Sequence, residues 1–192
     1  MKILVAGCGL AVREGFRQPD GITVLGINDC EQYGIRPDHL LVIDAPTRFD
    51  HIRRRVIERT KAKVFWHCTS EWDQATKIAA ERQKLKIKAW REWREQGLAD
   101  PDLPGFMTSM IPAIVLAHRL GGRDIAVTGC DITGHAHLED KTLQVNQFTR
   151  ALLHLLKREG TTVVNASGFK GRLTALPRAG LESWAASPAT LQ

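Results

Sequence analysis

The sequence contains no run of about eighteen consecutive apolar residues, the least a membrane-crossing helix needs. A helical span is thereby excluded. Met1–Lys2 leads into an apolar run in place of a signal sequence, so a cytoplasmic protein is expected. There is no C-x-x-C pair: Cys8, Cys30, Cys68 and Cys130 are widely separated, and each lies near the end of an apolar run. Such spacing argues against a disulfide framework and against a zinc site, and casts the thiols as small buried hydrophobes. Internal repeats and low-complexity tracts are also missing, which sets aside solenoid and linker architectures.

What is present suits one domain. A chain of 192 residues, 43% hydrophobic and 25% charged, can bury an ordinary core. The net charge of +6 fits a polyanionic partner, nucleic acid or a nucleotide, although many basic proteins simply carry solvated lysines.

Six short apolar runs read as strands: residues 2–6, 22–27, 39–43, 62–67, 124–128 and 161–165. Separated by helix-length segments, they indicate βα units and a Rossmann-like, mostly parallel sheet flanked by helices. Helices are expected over 109–120, with Thr108 or Ser109 as cap and Gly121–Gly122 as stop, and over 140–159, where Leu143, Phe148, Leu152, Leu155 and Leu156 recur at helical spacing. Residues 70–97 read as a basic helical segment bearing Trp90 and Trp93, and 98–106 as a proline-broken loop. The expected organisation is a nucleotide-binding domain over 1–176, a lid loop at 131–140, and a C-terminal tail over 177–192 that is packed on the surface or partly disordered.

Several residues carry chemistry at the strand ends. Gly7-Cys8-Gly9 follows the first strand, where missing side chains permit a sharp turn and close approach of a phosphate or ribose. A dinucleotide fingerprint requires a third small residue at position 12, which is Val12 here, while Asp29 stands about where a ribose-binding acid belongs. Asn28 and Asp44 end the second and third strands, where the carboxyl edge of a parallel sheet lines the ligand crevice; each also suits a turn cap, as Asp38 does. Thr108 and Ser109 place hydroxyls and unsatisfied N–H groups at a helix start, suited to capping and to an anion. Asp131, His135, His137 and Glu139 cluster in one loop that offers a general base or metal ligands; two histidines two apart do not specify zinc, and no metal site is assigned. Arg53–Arg55 and Lys77–Arg94 are basic. Trp90 and Trp93 share a helical face, which suits base stacking or anchoring to the domain or to a second subunit, making the chain a candidate homo-oligomer.

The ordered set Gly7, Gly9, Asn28, Asp38, Asp44, Thr108, Ser109, Leu120, Gly121, Gly129, Asp131, Asn165, Ser167, Leu176 and Pro177 resembles the sialyltransferase-like Rossmann superfamily. That superfamily includes small bacterial sialyltransferases using a CMP-sugar and a related group with 6-hydroxymethylpterin diphosphokinase activity. The resemblance implies that Gly7, Gly9, Asn28, Thr108 and Ser109 hold a nucleotide or nucleotide-sugar donor, that Asp131 floors the site, and that His135 or His137 is the base. The sequence departs from the family at Cys8-Gly9-Leu10-Ala11, where an Asn-Gly-Pro-Ser-like turn is usual, and at Met110, where glycine is usual. Tyr33 is the only tyrosine, so the family's lid tyrosines have no counterpart. The expected function is a glycosyl-type transferase with a nucleic-acid or other polyanionic acceptor. The alternatives are ATP-dependent phosphoryl transfer, with Mg²⁺ held by Asp44, Asp131 or Glu139, and a non-catalytic nucleotide or nucleic-acid binder.

Overall fold

The computed structural model describes residues 1–13, 15–43, 56–67, 86–89, 108–133, 140–168 and 171–188. Asp44, Arg53–Arg55, Cys68, Trp90, Trp93, His135, His137 and Glu139 lie outside the described residues.

The described elements, in chain order, are β1 (Lys2–Ala6), α1 (Leu10–Arg13), β2 (Thr23–Ile27), a 3₁₀ turn (Cys30–Tyr33), β3 (His39–Val42), α2 (Val56–Arg59), β4 (Val64–His67), β5 (Lys86–Ala89), α3 (Met110–Arg119), β6 (Asp124–Thr128), α4 (Thr142–Arg158), β7 (Thr162–Asn165) and α5 (Leu181–Ala186). Seven strands form one sheet in the order β5-β4-β3-β2-β1-β6-β7. Every pairing is parallel. All six expected strands are present within two residues of their expected bounds. The seventh, β5, falls inside the stretch read as helical. Lys-Ile-Lys-Ala alternates polar and apolar residues, the strand period, but four residues of it are too few to stand out against a Lys- and Arg-rich background.

The sheet is buried on both faces because successive strand residues point to opposite sides. Ile3, Val5, Leu25, Ile27, Leu41, Ile125 and Val127 join α3 and α4 in one core. Leu4, Ala6, Val24, Leu40, Val42 and Ala126 join Val12, Cys30, Ile35, Val56 and Trp184 in the other. Helix α4 packs through Val145, Thr149, Leu152 and Leu156. Leu143 and Leu155, expected on that stripe, are 68% and 39% exposed; the true stripe includes Thr149, whose hydroxyl donates to the Val145 carbonyl (2.7 Å) and so can be buried. Asn146 on the same helix fixes the loop before the chain end: Nδ2 donates to the carbonyls of Thr142 and Arg172 (2.9 Å each), and Oδ1 accepts from the N–H groups of Thr174 and Ala175 (2.8 Å each).

Polar groups at the amino-terminal edge of the sheet are paired with one another. Asp38 accepts the Val24 N–H on Oδ2 (3.1 Å) and the Lys63 ammonium on Oδ1 (3.0 Å), joining the starts of β2, β3 and β4. Burial raises its pKa, but these donors outweigh burial and hold the carboxyl below its usual range. Lys2 Nζ donates to carbonyls at the end of α5, those of Trp184 and Ala185, and to that of Ser187 just beyond it. Trp184, in the segment expected as a tail, is 5% exposed and donates its indole N–H to Asp124 Oδ1 (2.6 Å). His118 is buried at the end of α3, with Nδ1 2.8 Å from Thr161 Oγ1 and Nε2 2.7 Å from Glu159 Oε2. Burial depresses its pKa, Arg123 and Arg119 add to that, and Glu159 opposes it.

Strand order reverses between β1 and β6. In an open parallel sheet, the ligand crevice lies outside the carboxyl ends of the strands at that reversal.

Candidate functional site

The glycine turn sits at this reversal. The Gly7 N–H donates to the Thr128 carbonyl (2.9 Å) and the Gly9 N–H to the Gly129 carbonyl (2.7 Å), continuing the β1–β6 ladder beyond the strands. A Cβ on Gly7 would lie 2.4 Å from the Gly129 oxygen, and one on Gly9 would lie 2.5 Å from Asp131 Oδ1. Both glycines are therefore required by the neighbouring strand end, before any ligand is considered. Asp131, 2% exposed, lies beneath the turn and accepts the Leu10 N–H on Oδ2 (3.2 Å), meeting an orphan donor of α1 from across the chain.

Val12, where a fingerprint would carry its third glycine, is compensated from the other side. Gly129 has φ +62, and a Cβ on it would stand 2.8 Å from Val12 Cγ1. The close helix–sheet packing survives because the small residue has moved to the position just after β6.

Asn28 is the one non-glycine described residue with positive φ, at +56. Its backbone N–H donates to the Leu41 carbonyl (2.9 Å), which fixes it to β3, while its side-chain Oδ1 is buried without a hydrogen-bond partner. A left-handed backbone is tolerated by asparagine better than by most residues, yet it costs free energy, as does an unsatisfied buried oxygen. Thr108 Oγ1 is likewise buried without a partner. Ser109 stands at the cap position of α3 and makes no side-chain cap bond, so these hydroxyls do not act as simple caps. Helix α3 has ten residues, about 15 Å of rise, comparable to a five-residue strand. Its C-terminus precedes β6 at the amino edge, so its N-terminus, with Thr108 and Ser109, is returned to the carboxyl edge.

Asp29, just beyond the end of β2, receives the Cys8 thiol on Oδ1 (3.3 Å) and the Gln32 amide on Oδ2, tying the glycine turn to the 3₁₀ turn. Asp38, Asn165, Ser167 and Pro177 lie in bonded positions. Asn165 accepts the Ser167 N–H on Oδ1 (3.0 Å) and holds the Pro177–Ala179 strip through its own N–H and carbonyl. Burial pushes the Cys30 thiol up to about 12 and raises that of Cys130 further, which makes both poor nucleophiles. Sequence reasoning overlooked Arg13, whose Nε donates to the Cys8 carbonyl (2.8 Å) and whose guanidinium lies 5.1 Å from the Tyr33 ring centre. A lone arginine four residues after Gly9 carries no distinguishing signal. Among the described residues no group of three or more His, Cys, Asp or Glu side chains could hold a metal ion, and no helix is long and apolar enough to cross a membrane.

The fold and the position of the crevice define the class: an α/β protein of Rossmann type with its polar edge at the β1/β6 reversal. Its particular likeness is to solved structures of a sialyltransferase, CstII from Campylobacter jejuni. One, in complex with cytidine-5′-monophosphate, is 15% identical over 95% of this chain and 87% of that one, with a TM-score of 0.60. A second, in complex with CMP-3FNeuAc, is 13% identical over 93% of this chain and 85% of that one, with a TM-score of 0.58. A point mutant of the α-2,3/8-sialyltransferase CstII is 14% identical over 95% and 88%, with a TM-score of 0.61. The chain shares their fold across nearly its whole length. No protein-family model matches the sequence, and neither does any curated protein.

Proposed function

We propose that the chain is a nucleotide-sugar-dependent glycosyltransferase whose crevice at the β1/β6 reversal takes a CMP-type donor. One observation carries the reading: Asn28, held at φ +56 with a buried, unpartnered amide oxygen, stands at the same sheet edge as the unpartnered Thr108 hydroxyl. Unsatisfied polar atoms that cost stability are most economically explained by a ligand that satisfies them. The shared fold with a sialyltransferase that binds CMP supports the choice of nucleotide.

In this reading Gly7 and Gly9 keep the turn flat against β6, with Asp131 beneath it, and Asn28 meets a base or ribose edge. Asp29 braces the wall. Thr108, Ser109 and the first-turn N–H groups of α3 meet the phosphate, where a helix start favours negative charge. An acceptor hydroxyl attacks the anomeric carbon as the bond to phosphate breaks. His135 or His137 takes the hydroxyl proton and the nucleoside monophosphate departs, so binding and leaving-group stabilisation supply most of the rate. The net charge of +6 supports an acidic acceptor, with the basic segment 70–97 as its docking surface.

The test follows release of CMP from a CMP-activated sugar in the presence of a panel of hydroxylated acceptors. The double variant His135→Ala/His137→Ala should lose about a hundredfold or more of turnover while CMP affinity stays within about twofold. Unchanged turnover in that variant would overturn the base assignment, and no CMP release by the wild type would overturn the reaction.

A further inference from the structure

The glycine turn is held unequally on its two sides. Toward β6 it is fixed by backbone and by a buried acid: Gly7 donates to the Thr128 carbonyl, Gly9 to that of Gly129, and Leu10 to Asp131. Toward β2 the parallel register ends at the Ala6–Gly26 pair, and side chains take over. The Cys8 thiol reaches the Ile27 carbonyl and Asp29 Oδ1 at 3.3 Å each. A thiol is a weak donor. The stronger tie is Arg13, because a hydrogen bond from a charged group has about twice the strength of a neutral one.

Arg13 ends α1, a helix of four residues. So short a helix does not sustain itself, and its direction depends on what its side chains grip. Val12 enters the core, 2% exposed, and Arg13 turns back over the loop that precedes it. Nε donates to the Cys8 carbonyl at 2.8 Å, while the guanidinium lies over Tyr33 with Cζ 5.1 Å from the ring centre. Tyr33 packs in turn against the core that holds Val12 and Cys30. It closes the 3₁₀ turn that starts two residues after Asn28. That turn is braced by the Gln32 N–H on the Asp29 carbonyl and the Gly34 N–H on that of Glu31, both at 3.1 Å.

One exposed side chain therefore grips the peptide between Cys8 and Gly9 and rests on the element that follows Asn28. A lysine would supply the charge alone. A guanidinium donates in its own plane while offering its face to a ring, so arginine makes both contacts at once.

We infer that Arg13 is a positioning residue: it holds the glycine turn against the 3₁₀ turn after β2, and so fixes the spacing of Gly9 and Asn28 across the crevice before a nucleotide arrives. The nucleotide half of this rests on the function proposed above. Arg13 acts through the turn, by ordering one wall in advance, which lowers the entropic cost of binding.

Hydrogen–deuterium exchange and CMP titration of the wild type, Arg13→Ala, Arg13→Lys and Arg17→Ala test the inference. Arg17 is a second exposed arginine four residues further on, and its removal controls for charge. Because both arginines are exposed, every variant should keep the wild-type melting temperature within about 2 °C. Exchange in peptides covering residues 7–12 should quicken by about fivefold or more in Arg13→Ala, with β6 unchanged. CMP should bind Arg13→Ala about fivefold to tenfold more weakly, and Arg13→Lys at least about threefold more weakly, while Arg17→Ala stays within about twofold of the wild type.

Unchanged exchange in Arg13→Ala would overturn the inference whether or not CMP binds. So would quickened exchange with unaltered CMP affinity, or a large fall in melting temperature, which would make Arg13 a general structural residue. Full restoration by Arg13→Lys, or an equal loss in Arg17→Ala, would leave charge alone as the cause and overturn it too. Absence of CMP binding by the wild type would instead contradict the proposed function, and with it the nucleotide half, while exchange still decides whether Arg13 holds the turn.

Discussion

The two edges of the sheet use polar residues in opposite ways. At the amino edge, Asp38, Lys63, Lys2, Asp124, Trp184, His118, Thr161 and Glu159 satisfy one another, and the bonds join strands, helix ends and the C-terminal segment. At the carboxyl edge, Asn28 Oδ1 and Thr108 Oγ1 are buried and unpaired, Asn28 has a left-handed backbone, and the glycine turn leaves no room for a Cβ. One edge converts polar groups into stability; the other keeps them unsatisfied at a cost. Such a division is what a binding edge and a structural edge of one sheet should look like.

Substitutions can break the comparison. The largest effect is expected from Trp184→Ala at the amino edge, which empties a core position and strands Asp124. It should cost about 3–5 kcal/mol in chemical denaturation and leave the intrinsic nucleotide affinity of the folded protein unchanged. Gly9→Ala at the carboxyl edge should cost about 1–3 kcal/mol, because the new Cβ meets Asp131 and the Gly129 carbonyl. Unlike Trp184→Ala, it should also abolish nucleotide binding in calorimetry. Asn28→Gly sharpens the contrast in sign. Removing the strained side chain should leave stability unchanged or raise it by up to about 1 kcal/mol while nucleotide affinity falls. A clear loss of stability would show that Asn28 is structural.

The smallest effect concerns pH. His118 has a folded-state pKa below the ordinary 6.5, caused first by burial, so the unfolded chain takes up its proton before the folded chain does. Its contribution to stability is present above that ordinary value and is lost as pH falls through the depressed one. The neutral ring carries its proton on Nε2, toward the Glu159 carboxylate. Melting temperature should therefore decline on acidification below about pH 6.5, and the decline should flatten in His118→Gln.

Much of this contrast could be read in the sequence, and unevenly. Strands β1 and β6 were legible to the residue because continuous apolar runs end on glycine. The position of Asn28 and Thr108–Ser109 at strand and helix ends was legible too. What could not be read was the reciprocal packing: Val12 against Gly129, or Gly9 against Asp131, pairs residues more than a hundred positions apart. Nor could periodicity reveal β5, a four-residue strand in a basic stretch, or foresee that Trp184 would be buried by a bond to Asp124. Asp29 was placed correctly at a strand end, but its bonds to Cys8 and Gln32 depend on how the crossover folds back. The bases assigned to the loop, His135 and His137, rest on chemistry at a strand mouth and on the resemblance.

The account turns on the carboxyl edge being a nucleotide site, and titration of CMP into the wild type and Asn28→Ala tests it most directly. The wild type should bind, and Asn28→Ala should bind at least about tenfold more weakly, the loss of about 1.4 kcal/mol. Failure of the wild type to bind CMP, or equal binding by both proteins, would contradict it.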